Sequence, residues 1–111
     1  MRTYTVDELT EDDIGKLSAY LSEMNLQSSV QGMFWLPIPL NLHTDLQKSH
    51  LEECGAYCLA LELGKGAIHL EFLVRAKGKM RCECMCFASP ALREHMINYL
   101  DGVLSSLGVE F

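Results

Sequence analysis

A two-layer α+β domain, in which an antiparallel meander sheet of three to four strands carries the N- and C-terminal helices on one face, is the fold this sequence predicts. Three observations point there. Amphipathic segments with helix-capping signals stand near both ends of the chain; between them, three alternating apolar/polar runs are separated by short glycine-containing links; and 111 residues, 49% of them hydrophobic, suffice for one core but not for two. Residues 1–111 therefore read as a single domain.

The first helix is expected from about Glu11 to Met24. Thr10 stands as its N-cap, Glu11, Asp12 and Asp13 place negative charge in its first turn, and Leu9 with Ile14 occupies the hydrophobic-staple positions. Its apolar stripe is Ile14, Leu17, Leu21 and Met24. Next, Met33 to Leu40 must be extended, because Pro37 and Pro39 disfavour helix for the residues before them and remove ladder donors, which predicts an edge strand or a packed arm. Thr44-Asp45-Leu46-Gln47 is a capping box, and Gly55 can take the left-handed position after a helix, so a short helix is expected from about Asp45 to Cys54.

The meander comprises Ala56–Leu63, Ala67–Ala76 and Met80–Phe87, joined by Gly64-Lys65-Gly66 and Lys77-Gly78-Lys79. One face carries Leu59, Leu61, Leu63, Ile68, Leu70, Phe72 and Val74; the other carries Glu62, His69, Glu71, Arg75, Arg81 and Glu83, with Leu73, Met85 and Phe87 among these charges. The closing helix starts at Ser89-Pro90, an N-cap followed by proline at the first helical position, and stops at Gly108. Its stripe of Leu92, Met96, Tyr99, Leu100, Val103, Leu104 and Leu107 lies on the sheet, and Gly102 is expected to mark a close approach to a neighbouring element. Val109 to Phe111 form a short strand or a tail.

Nine basic against fifteen acidic side chains give a net charge of −6. With no Lys/Arg cluster, such a chain lacks the electrostatic footprint of a nucleic-acid binder and is repelled by anionic lipid. The longest uncharged apolar stretch, Met33–Leu40, is far too short to span a bilayer. The polar, acidic opening MRTYTVDELTEDD does not resemble a secretory signal, which predicts a cytoplasmic protein. Five cysteines, an odd number, then predict thiols or ligands rather than a disulfide framework.

Cys82, Cys84 and Cys86 put three soft ligands within five residues. A regular strand would hold alternate cysteines about 6.5–7 Å apart, too far for a common ion without a bulge, so the expectation is that they pack in the core. His50 and Cys54, at i and i+4 of the short helix, share one face as metal ligands would, with Cys58 or His43 available to add to them. A nucleophilic cysteine paired with His43, His50 or His69 has neither a glycine-rich elbow nor an oxyanion signature beside it. His69, Glu71 and Arg81 could line a small-molecule pocket, but no spacing assembles them. Gly64-Lys65-Gly66 and Gly78-Lys79 precede strands rather than helices and are hairpin turns, not phosphate loops.

Weighed together, these features predict a non-enzymatic, homodimeric, cytoplasmic protein-interaction module without a cofactor. Its partner is a protein, self or other, and neither nucleic acid nor membrane. The predicted interface is Phe34, Trp35, Leu36 and Ile38 of the proline-bearing arm with Leu73, Met85 and Phe87 of the mixed sheet face. The alternative is a metal-binding or redox protein that holds zinc or an iron–sulfur cluster through His50, Cys54 and Cys58, aided by Cys82, Cys84 and Cys86.

Overall fold

The computed structural model describes residues 2–79 and 81–111. The elements in chain order are β1 (Thr3–Val6), α1 (Glu11–Glu23), β2 (Met33–Pro37), a 3₁₀ turn (Leu40–Leu42), α2 (Asp45–Ser49), α3 (Leu51–Cys54), β3 (Tyr57–Leu63), β4 (Ile68–Glu71), β5 (Arg75–Ala76) and α4 (Pro90–Ser106). All strand pairings are antiparallel, in the order β1-β4-β3-β2 with β5 also on β3. The α+β class read from the sequence is the class observed, with one strand more than expected. β1 is short, polar at three of its four positions and buried only at Val6, so the alternation that identifies strands is too weak there to be seen.

Both long helices form for the reasons their sequences give. The Asp13 N–H donates to Thr10 Oγ1 and the Thr10 N–H to Asp13 Oδ2, each at 3.0 Å, which closes a capping box on α1. The Leu92 N–H donates to Ser89 Oγ at 3.2 Å at the start of α4. Leu17 and Leu21 of α1, with Leu92, Met96, Leu100, Val103 and Leu104 of α4, are buried in one core with Leu59 and Leu61 of β3 and Ile68 and Leu70 of β4. Met24, expected on the α1 stripe, is half exposed, because the helix ends there. Gly108 takes φ +77° after α4, the left-handed stop the sequence implies.

The third meander run departs from expectation. Met80 lies outside the described residues, and 81–85 are not a strand: the Met85 N–H donates to the Cys82 carbonyl at 3.1 Å, a tight turn in the middle of the run. Only its end pairs, Val74 N–H to Cys86 O and Ala88 N–H to Phe72 O. A stretch with neither a β-branched nor an aromatic residue before Phe87 has little preference for the ladder and folds back instead. The second run is interrupted too. Two residues of β3 lie between Leu61↔Leu70 and Cys58↔Arg75, but four of its partner do, so the chain bulges over 71–74 between β4 and β5.

Three smaller expectations are also corrected. The helix expected over 45–54 is two short helices broken at His50, whose backbone (φ −99°, ψ 6°) caps both. Gly55 is not left-handed (φ −64°); glycine is needed because a Cβ there would run into the Leu51 carbonyl and side chain. Gly102 is no close-approach point, since a Cβ built on it meets nothing within 4 Å.

β2 is the edge strand expected of the proline-bearing segment, with Phe34 and Leu36 turned inward and Met33, Trp35 and Pro37 outward. Its outer edge is covered by residues 26–28, through Trp35 N–H to Leu26 O at 2.8 Å and Ser28 N–H to Met33 O at 3.0 Å.

Candidate metal centre

One end of the core is built almost wholly from polarisable side chains. A ring nitrogen of His50 and the Sγ atoms of Cys54, Cys82 and Cys84 all lie within 4.8 Å of one another, and His50 Nδ1 and Cys82 Sγ are 3.1 Å apart. Cys54 and Cys84 are buried, whereas His50 and Cys82 are half-buried.

Each ligand arrives by a separate local device. His50 and Cys54 keep their shared face despite the helix break, because the Cys54 N–H still donates to the His50 carbonyl at 2.8 Å. Cys82 and Cys84 meet because the turn folds what a strand would have held apart. The two halves are joined at Gly78: its N–H donates to the Cys54 carbonyl at 2.8 Å, and a Cβ at that position would fall inside van der Waals contact of the Glu53 carbonyl. Only glycine lets the chain lie so close against the end of α3. Lys79 Nζ then reaches Glu53 Oε2 at 3.3 Å across the same seam.

Gln47 is the residue that sequence reading saw only in part. Its Oε1 accepts from the Thr44 N–H at 2.9 Å, completing the capping box, while its Nε2 donates to the Cys84 carbonyl at 3.1 Å. At 1% exposure it is a buried amide joining α2 to the cysteine turn. Tyr57 supports the arrangement by donating its hydroxyl to the Gln47 carbonyl at 2.8 Å, and His43 packs edge-on against the Tyr57 ring with centroids 5.1 Å apart. The capping pattern of Gln47 was legible, but the second use of its side chain depends on a partner 37 residues away.

The electrostatics favour one thiolate within the cluster. The Cys84 N–H, the Cys84 thiol and the His50 ring hydrogen-bond to Cys82 and hold it down at about 6, against the smaller opposing effect of burial. Burial, reinforced by the neighbouring cysteines, pushes Cys54 up to about 12. Of the Cys54 and Cys82 thiols, Cys82 is therefore the one that ionises first.

Of the metal ligands expected from sequence, the structure brings His50 and Cys54 together and adds Cys82 and Cys84. Cys58 does not join them. It points to the opposite face of the sheet, paired with Pro37 and Arg75, where burial raises its pKa and Lys77 partly offsets the rise. Cys86 lies 3.8 Å from Gln47 Nε2, outside the tetrad. His43 is buried, and neither of its ring nitrogens has a hydrogen-bond partner among the described residues.

The predicted interface divides in the same way. Phe34, Leu36 and Ile38 are buried in the molecule's own core and leave nothing for a partner to hold. Trp35, Leu73 and Met85 are half-buried, and Phe87 is 43% exposed beneath the Arg2 guanidinium, 4.3 Å from its ring centre. His69 and Glu71 share the outer sheet face without Arg81. Among the described residues, no helix is long and apolar enough to cross a membrane. Comparison of the chain with protein-family models, curated proteins and solved structures finds no match.

Proposed function

We propose that this chain is a zinc-binding protein, with His50, Cys54, Cys82 and Cys84 as a four-ligand structural site. The observation that carries this reading is the convergence of the four donor atoms within 4.8 Å. Thiolates bound to one zinc at about 2.3 Å stand about 3.8 Å apart at the tetrahedral angle, so the cluster needs only a small contraction to close on an ion. Three sulfurs and one imidazole match the donor set of structural zinc. An iron–sulfur cluster divides its ligands between two or more irons and needs them more widely spread than a single tetrahedral shell.

With four protein ligands the shell is closed, and the role of the ion is to clamp the 77–88 segment onto α2 and α3 rather than to activate water. The hydrogen-bond contact between His50 Nδ1 and Cys82 Sγ is the one the ion replaces, with loss of the proton between them.

Native mass spectrometry of protein purified reduced and without chelator tests the reading. The expected result is one zinc per chain, lost in Cys54→Ser and Cys84→Ser but retained in Cys58→Ser. A wild-type chain that stays metal-free after reconstitution with zinc under reducing conditions overturns it. The same spectrum counts subunits, and a metal-free dimer that Trp35→Ala converts to a monomer is the outcome that favours a protein-interaction module instead.

A further inference from the structure

The sheet face turned away from the helices carries a trough beside β3, whose Cys58 is buried there: Trp35 of β2 is registered opposite Ala60 of β3, and Arg75 of β5 opposite Cys58. Two inter-strand spacings put the flanking strands about 10 Å apart, the width of a trough that takes one flat ring system. Met85 and Lys77, Lys79 and Ser29 close the remaining sides of a cavity of about 650 Å³, within the range of small-ligand sites.

Its chemistry is unlike that of the surrounding surface. The chain carries a net charge of −6 with only nine basic residues, yet three of the nine line this one cavity. The expectation that the chain has no Lys/Arg cluster is corrected here: the three are spaced two apart in sequence, and the fold gathers them around the trough. Arg75 is held by Glu71 at 2.9 Å and Lys79 by Glu53 at 3.3 Å, both in exposed pairs that give way readily to a better-placed anion. Lys77 has no carboxylate within ion-pair distance among the described residues, and its charge partly offsets the rise that burial imposes on the Cys58 thiol. The only tryptophan of the chain supplies the flat apolar wall.

We propose that this trough is a binding site for a small planar anion, an aromatic ring bearing a carboxylate, which lies against Trp35 with its charged group directed to Lys77 and Arg75. Trp35 and Arg75 belong to the sheet, whereas Lys77, Lys79 and Met85 lie on the segment the ion would clamp, so the titration is run both before and after zinc reconstitution, which separates a failure of this site from a failure of the metal reading. Cation and ring surface together select the ligand. A neutral ring lacks the partner for Lys77, and a bare anion lacks the surface that Trp35 and Met85 offer.

A single tryptophan gives a single indole N–H resonance, which reports the site directly in a ¹H–¹⁵N correlation spectrum of the reduced full chain. Titration with 2-naphthoate is expected to move the Trp35 indole peak saturably, while 2-naphthamide and inorganic phosphate at the same concentration leave it in place. Lys77→Ala, a change at an exposed side chain, is expected to weaken naphthoate binding about tenfold with the rest of the spectrum unchanged, as loss of one charge-assisted contact should. Equal binding of naphthoate and naphthamide, or undiminished binding by Lys77→Ala, overturns the proposal. So does a peak that responds to a hexaglutamate peptide but not to naphthoate, an outcome that assigns the face to an acidic protein segment.

Discussion

Gln47 and Gly78 illustrate how much of the metal centre rests on single side chains with no ligand role. Replacing Gln47 by leucine removes the donor to the buried Cys84 carbonyl and the acceptor of the part-buried Thr44 N–H, and should destabilise the fold by about 1–3 kcal/mol in urea unfolding. Gly78→Ala should cost about 1–3 kcal/mol by forcing the 77–79 backbone off the end of α3, and should weaken zinc retention although no ligand changes. Zinc content after dialysis against a competing chelator checks the second effect; full retention would show that the seam is not what positions Cys82. Tyr4 offers a test of the link between β1 and α4. Its hydroxyl donates to Asp101 Oδ1 at 2.7 Å, and burial, then that bond and its charge, push its pKa up to about 12. A raised pKa means that the stabilisation is complete below pH of about 10 and is lost as pH rises through about 12. Tyr4→Phe should lower stability by about 1 kcal/mol at neutral pH and flatten the alkaline limb of a pH titration of unfolding.

At the scale of elements, α4 is the clearest case of local sequence and tertiary packing agreeing. Its cap, its proline at the first position and its stripe point to one buried face, and Leu92, Met96, Leu100, Val103 and Leu104 of that stripe are in the core, whereas Tyr99, expected with them, is exposed. Gly102 is its single weak point. With open space around the missing Cβ, Gly102→Ala should raise stability by about 0.5–1 kcal/mol, read as a higher thermal midpoint; a loss would mean that the helix approaches a neighbour there after all. The 45–54 segment behaves differently. A helix running unbroken through His50 would carry the capping box and the Cys54 turn on one axis. The break instead lets α2 follow Gln47 and Tyr57 while α3 turns Cys54 toward the cysteine turn. A segment whose contacts are mostly to one cluster has little independent reason to stay helical, so hydrogen exchange should be fastest there once the ion is removed.

For the molecule as a whole, the zinc reading carries a definite thermodynamic signature. An ion that binds only the folded chain adds about 2.7 kcal/mol at a free concentration one hundredfold above its dissociation constant. Chelation should therefore lower the thermal midpoint of the wild type to that of Cys84→Ser and leave the variant unmoved. Because three thiols and an imidazole must be deprotonated to bind, zinc uptake releases protons, and acidification favours the metal-free form. The added stability should thus be present at neutral pH and fade as pH falls, with zinc release followed by a colorimetric chelator. Equal midpoints with and without chelator at neutral pH would remove the ion from the account of this fold.

The sequence by itself determined the class of fold, both long helices with their caps, the inward face of β3 and β4, and the edge position of Met33–Pro37. It could do so because those features depend on periodicity and on side chains that act within a few residues of themselves. It also put His50 and Cys54 on one helical face. Tertiary structure alone decided that Cys82 and Cys84 join them and Cys58 does not, that Phe34, Leu36 and Ile38 serve the core, and that Arg75, Lys77 and Lys79 surround one cavity. The run 80–87 alternates as a strand would, and its weak ladder preference does not by itself say where the chain goes instead. What bends it is the sum of distant contacts, Gln47 with Cys84, Gly78 with Cys54 and His50 with Cys82, each made between residues 24 to 37 positions apart, which periodicity cannot register.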